Sequence, residues 1–344
     1  MKLITRIPSI MNIKFKLIAL LLSSSLLWSQ ASNTDVRSRI EGTDRSDALL
    51  PSAITQTGED SSDGELSESD TGAQRPVQLN KDGISAFFGY DSKYFYRSNP
   101  LSTNGPLRQS ATAMWTNTFY TGAGLGVFDM GESILTPYIG ANWTINDYLE
   151  GDLGDFNYNS TGAYALLLNQ FANGWSARIG VNYLIDRSTK FDTEDFKDVF
   201  PNVGVLRAYS INEDTTGVFD ASLGFHSSET EPVFEGDTED ALSNLEVTAS
   251  YGVSYDYGKA KLSPKYKIIY KDYDEGDNIG RSDISHVFSF KIDYLIADSL
   301  KLSLYTGYTK RDVSGQNKDG GEHGDDYDYK NWDVGAGIGL NSRF

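Results

Sequence analysis

From Leu245 to Tyr257 every second residue is apolar or aromatic: Leu245, Val247, Ala249, Tyr251, Val253, Tyr255 and Tyr257. The residues between them, Glu246, Thr248, Ser250, Gly252, Ser254 and Asp256, are polar or small. Successive side chains of a strand point to opposite faces, so this stretch reads as a strand with one greasy face and one wet face. The pattern recurs in Ile84/Ala86/Phe88/Tyr90, Leu135/Pro137/Ile139/Ala141/Trp143/Ile145 and Trp175/Ala177/Ile179/Val181/Tyr183/Ile185. It recurs again in Phe219/Ala221/Leu223/Phe225, Ile284/Phe288/Phe290/Ile292/Tyr294/Ile296 and Trp332/Val334/Ala336/Ile338/Leu340.

Such segments number about twelve by period-two spacing. They lie near 83–97, 111–128, 133–147, 160–172, 174–187, 203–212, 217–226, 244–257, 259–272, 282–297, 299–311 and 329–344. The fourth, around Tyr164 to Leu168, and the sixth, around Val203 to Ile211, alternate poorly. Connection lengths alternate as well. Short turns fall at 129–132, 173–174, 213–216, 258 and 298; Asn173-Gly174 is a strong two-residue hairpin signal. Long connections occupy 98–110, 148–159, 188–202, 227–243, 273–281 and 312–328.

Short turns on one rim and long loops on the other resemble the layout of bacterial outer-membrane barrels. The expected fold is therefore all-β, a transmembrane antiparallel up-and-down barrel of about twelve strands over 83–344. An even strand count puts both termini on the periplasmic side and the long loops outside the cell. Trp115, Trp143 and Trp332 fall on the apolar face toward the outer rim with Tyr94 and Tyr96. Trp175 falls toward the periplasmic rim with Tyr257, Tyr294 and the terminal Phe344. Amphipathic rings at both ends of the strands are expected at the two membrane interfaces. A soluble sandwich or lipocalin-like barrel would turn its apolar face inward.

The last strand resembles the C-terminal assembly signal of outer-membrane barrels, an aromatic end preceded by alternating apolar residues, although Ser342 stands where an apolar residue is usual. That resemblance implies recognition by the barrel-assembly machinery. The stretch Gly89-Tyr90-Asp91-Ser92-Lys93-Tyr94-Phe95-Tyr96-Arg97-Ser98 faintly resembles the opening hairpin of uncharacterised proteobacterial outer-membrane families, with Ser98 in place of their Gly. It implies no activity.

Residues 1–31 have the order of a secretory signal peptide: Lys14 and Lys16, an apolar run from Leu17 to Trp28, then Ser29-Gln30-Ala31. Met11 is an alternative start, and an uncleaved anchor is the alternative role. Residues 32–82 are acidic and rich in Ser and Gly; Thr55 to Glu65 contains no apolar residue, so a disordered linker is expected. No run of about 20 apolar residues follows, which excludes a helical span. The absence of cysteine removes disulfides, thiol nucleophiles and cysteine metal sites. A net charge of −18 argues against nucleic acid as a partner.

If the apolar face meets lipid, the other face lines the lumen. Lys259, Lys261, Lys265, Lys267 and Lys271 then form a basic ladder on the ninth strand. Arg178, Lys291, Lys301, Arg311, Arg343, Lys93 and Arg97 are expected to join them. Charged ladders set ion selectivity in pores, which points to a porin-like channel for small anionic solutes or acidic saccharides. The arrangement looks similar to that of acidic-oligosaccharide porins, without a shared motif. Glu246, Asp256, Asp283 and Asp293 also face inward, so an ion-pair network filling a closed structural or adhesive barrel is the main alternative.

The loops carry Glu229, Glu231, Glu235, Asp237, Glu239, Asp240 and Asp319, Glu322, Asp325, Asp326, Asp328. They match no calcium-loop spacing, so no metal or other cofactor is expected, and contact with lipopolysaccharide through divalent ions is the plain reading. A lipid hydrolase is the enzymatic alternative. Among His226, His286 and His323 only His286 lies by the outer rim, and Ser285 and Ser289 point to its opposite face. No catalytic set is assigned. An autotransporter would need a passenger longer than the roughly 50 residues before the barrel and a segment of helix period to thread it.

Overall fold

Strands whose two faces differ this sharply must hide one face from the other's solvent, and closing the sheet on itself achieves this without leaving an edge. The computed structural model describes residues 84–102, 111–230, 240–297, 299–316 and 328–343, without the side chains at 151, 152, 277 and 343. The expected signal segment, the linker and Phe344 lie outside these residues, as do positions 103–110, 231–239 and 317–327.

Twelve strands make the wall: β1 (Ser85–Arg97), β2 (Thr112–Gly124), β3 (Ser133–Tyr148), β4 (Tyr158–Phe171), β5 (Trp175–Ser188) and β6 (Glu194–Asn212). They continue as β7 (Thr215–Thr230), β8 (Asn244–Tyr257), β9 (Ala260–Tyr273), β10 (Arg281–Ala297), β11 (Leu300–Gly315) and β12 (Tyr329–Arg343). Each pairs antiparallel with its neighbours in sequence. The barrel closes where β1 meets β12, from Phe87 opposite Arg343 to Arg97 opposite Asp333. A two-residue piece, Phe128–Asp129, extends the turn before β3 by pairing with Leu135 and Ile134.

The turns on one rim are tight. Gly174 and Gly258 take positive φ of 79° and 61°, a backbone state that favours glycine, and the Asn173 side chain accepts from the Trp175 N–H. Two expectations need correction. The sixth strand begins at Glu194, so the connection expected at 188–202 shrinks to 189–193. Its inner face carries Phe196, Asp198, Phe200, Asn202 and Leu206, all buried, while Val199, Val203 and Val205 face out. Apolar residues on both faces erase the polarity period. The other correction is Lys259, which sits exposed in the turn after Gly258 and not on β9. The weak fourth segment has the same cause as the sixth: Leu166 and Leu168 are buried inside against Tyr138 and Tyr164, with Leu167 outside.

The polarity of the wall is inverted relative to a water-soluble protein. Ile179 is 62% exposed and Val334 55%, whereas Arg281 and Asp186 are fully buried inside. Each large apolar side chain left in water forgoes about 1.5–3 kcal/mol, and dozens face out here. Only a hydrocarbon surround makes such a surface stable. Trp115, Trp143 and Trp332 face out toward the long-loop rim, at 46%, 43% and 58% exposure. Trp175 opens β5 at the short-turn rim, its ring edge-to-face with Phe219 and under the Arg207 guanidinium.

Candidate functional site

The lumen divides into two arcs. Among the described residues, the inner faces of β2, β3 and β4 carry no charge; they present Thr116, Thr118, Thr136, Asn142, Thr144 and Asn146 among tyrosines. Thr118 and Thr144 share a hydroxyl hydrogen bond of 3.1 Å, and the Thr116 hydroxyl donates to Asn146 Oδ1. The remaining strands carry the charge: Lys93, Arg97, Arg178, Lys261, Lys265, Lys267, Lys271, Arg281, Lys291, Lys301 and Arg311, against Asp91, Asp186, Asp198, Asp220, Glu246, Asp256, Asp283, Asp293 and Asp333.

Lys261 and Lys271 of the expected basic ladder lie beside carboxylates, as do Arg178 and Lys291. Arg178 makes a two-pronged bond to Asp220, with Nη2 to Oδ1 at 2.9 Å. Lys261 lies 3.6 Å from Asp256, Lys271 3.4 Å from Glu246, and Lys291 2.8 Å from Asp293. Lys265 and Lys267 project from the same face of β9, and Lys267 is buried. The lumen is thus charge-dense but nearly balanced. Lys259, at the rim, stands apart from it.

Inward glycines set the bore. A β-carbon on Gly89 would fall 2.1 Å from the Tyr120 ring, and one on Gly140 would fall 2.4 Å from the Tyr164 hydroxyl. Phe200 lies on Gly224 in the same way, Arg178 on Gly204, and Lys301 with Asp91 on Gly339. Each pairing lets a long side chain lie flat along the neighbouring strand and not across the lumen. At mid-height Lys93 and Ser289 are exposed to solvent from inside. Ser289 lies beside Lys265 and Gly307, and Lys265 is opposite Gly252, so small residues flank that lysine on both sides. Among the described residues the Tyr164 and Tyr305 hydroxyls and the Asn182 Nδ2 have no hydrogen-bond partner; buried polar groups of this kind are met by water or solute.

Side chains pack together at the long-loop end. Leu242, in the connection after β7, packs on the inward Leu184 and Phe196. The Asn278 amide donates to the Ala241 carbonyl and its oxygen accepts from Arg281, which forks onto Asp283 at 2.8 and 2.7 Å. Below them His226 stacks on Phe200 at 3.9 Å, between Asp198 at 2.8 Å and Glu246 at 3.3 Å. Ser228 bonds the other Asp198 oxygen, and its backbone N–H donates to Ser243. Asp198, Asp220 and His226 are lumenal through the parity of β6 and β7, a signal that the poor alternation of β6 hides in the sequence. The glycine cradles leave no pattern in a single strand, because each is made between two.

His286 faces outward, bonded through Nδ1 to the Tyr266 hydroxyl at 2.7 Å. Ser285 and Ser289 belong to the opposite face of β10. Among the described residues no group of three or more His, Asp or Glu side chains could hold a metal ion.

No protein-family model and no curated protein sequence matches this chain. Among solved structures it is similar to an outer membrane channel from Pseudomonas putida F1, at 10% identity and a TM-score of 0.48, over 78% of this chain and 100% of that one. It is similar to the KdgM porin at 11% identity and a TM-score of 0.35, over 73% and 98%. The β domain of the Bordetella autotransporter BrkA aligns at 10% identity and a TM-score of 0.37, over 75% and 99%.

Proposed function

We propose that this outer-membrane barrel is a narrow channel for small polar solutes bearing negative charge, acidic saccharides among them. The observation that carries the reading is the set of glycine cradles, which keep rings and lysine stems against the wall and leave Lys93 and Ser289 open to the lumen. A saccharide would meet hydroxyls and amides on the uncharged arc and ammonium groups on the other. Lys261, Lys271 and Lys291 each face a carboxylate, so anion preference is modest; Lys93, Lys265 and Lys267 stand nearer mid-height.

In this reading the short turns and termini are periplasmic and the long loops external. The acidic loops then meet lipopolysaccharide through divalent ions, and the last strand meets the assembly machinery. Recording single channels in a planar bilayer tests the proposal, with an ion-selective conductance expected. The second reading is a barrel sealed by its own side chains. It is favoured by the buried Arg281–Asp283–Arg311 cluster and by Leu242 at the long-loop end, and it gives no conductance.

A further inference from the structure

The outer wall carries a feature that neither conduction nor assembly uses. Tyr251, Tyr266, Phe288, Tyr308 and Trp332 stand side by side across β8 to β12, Tyr251 opposite Tyr266, Tyr266 opposite Phe288, Phe288 opposite Tyr308 and Tyr308 opposite Trp332. Beneath this row the smaller Pro264 and Thr306 leave a groove of about 590 Å³ whose surface is almost wholly apolar. On the next row toward the long loops, His286 is opposite Lys310 and Lys310 is opposite Lys330.

Three basic side chains thus face outward in register on adjacent strands. Cross-strand neighbours have β-carbons about 4.5–5.5 Å apart, so the Lys310 and Lys330 ammonium groups repel. Lys310 lies 2.7 Å from Asp312 and also feels the Asp328 carboxylate. Among the described residues the Lys330 ammonium has no side-chain partner, and His286 uses only Nδ1, toward Tyr266. With Lys310 held by carboxylates, the Lys330 ammonium and the His286 Nε2 are the groups of this row that an anion could bridge.

We propose that this face binds the phosphorylated, acylated anchor of lipopolysaccharide, with a phosphate across Lys310, Lys330 and His286 and an acyl chain in the groove below. The surroundings specify the occupant. A groove in a lipid-facing wall takes hydrocarbon, and cations directly above it, at the level of the Trp332 ring, select a lipid whose head is anionic. The lipid is assigned to the outer leaflet by the orientation proposed above, on which this inference rests.

The test uses the full-length protein in detergent, titrated with bis-phosphorylated lipid A, with dephosphorylated lipid A and with phosphatidylglycerol, binding being read by native mass spectrometry. Saturable binding of the bis-phosphorylated lipid is expected. It should weaken at least tenfold without the phosphates or in Lys310→Gln/Lys330→Gln, and severalfold in Thr306→Trp, which fills the groove. Circular dichroism controls for folding. Equal binding of the dephosphorylated lipid, or unchanged binding by the double variant, overturns the site. Equal binding of phosphatidylglycerol overturns the assignment to lipopolysaccharide, and cross-linking of two chains through the groove gives the face to a second copy instead. Failure of the channel reading is separate, because conductance is measured without this lipid. Failure of the orientation shows as loss of labelling of Ser314→Cys by an impermeant reagent on whole cells.

Discussion

Tyr164 lies flat against Gly140, its partner across the β3–β4 pair, so closely that a β-carbon on the glycine would sit 2.4 Å from the phenol oxygen and 2.5 Å from the ring. The ring of Tyr164 therefore stays at the wall because Gly140 has no side chain. Gly140→Val should turn the ring into the lumen and lower both unfolding stability, by about 1–3 kcal/mol as for other overpacked sites, and single-channel conductance. Adding Tyr164→Ala should restore conductance. If the double variant conducts no better than Gly140→Val, the cradle does not set the bore.

Charge balance predicts shifts in opposite directions. Asp256→Asn removes a carboxylate beside Lys261 and should raise the anion-to-cation permeability ratio measured from reversal potentials. Lys261→Glu, Lys265→Glu and Lys267→Glu together should lower it below the wild-type value. Unchanged ratios in both would remove these groups from selectivity.

The Arg178–Asp220 pair is expected to be structural. Arg178 is buried, and Asp220→Asn leaves its guanidinium without a counter-charge. Breaking a buried pair from one side costs about 3–5 kcal/mol, whereas replacing both partners with apolar residues is often neutral or stabilising. Chemical unfolding of Asp220→Asn and of Arg178→Met/Asp220→Leu separates the two, and equal losses would contradict this account.

The long connections around Asp240 and Glu275 should respond to pH. Glu275 shares a side-chain hydrogen bond with Asp240, which raises its carboxyl above the usual value of 4.5. Such a bond needs one proton between two carboxyls, so the folded state holds that proton more tightly than the unfolded chain. The tie is complete below pH 4.5 and is lost as pH rises through the raised value, when two carboxylates repel. Hydrogen exchange at Ala241, Leu242 and Ser243, corrected for intrinsic rates, should show stronger protection in acid than at neutrality. Glu275→Gln, which keeps a donor at every pH, should flatten that dependence; an unaltered profile would exclude the tie.

The wall was readable in the sequence because lipid enforces one rule on every outward residue, and period two survives wherever the inner face is polar. It failed where the inner face is itself apolar, at Leu166 and Leu168 on β4 and at Phe196, Phe200 and Leu206 on β6. The lysines of β9 were legible as a ladder, since one strand carries them all. Their neutralisation was only partly legible. Asp256 and Glu246 come from a strand adjacent in sequence, but which carboxylate meets which ammonium depends on register and tilt. The cradles were hidden for the same reason, each needing a glycine and a ring on different strands.

The most direct test of the account is the current through one molecule. Purified full-length protein inserted in a planar bilayer is expected to give discrete, mildly anion-selective steps that shrink when an acidic oligosaccharide is added. Insertion shown by protease protection together with a silent membrane would contradict the open lumen, and would mean that the side chains around Arg281, Asp283 and Leu242 seal the barrel.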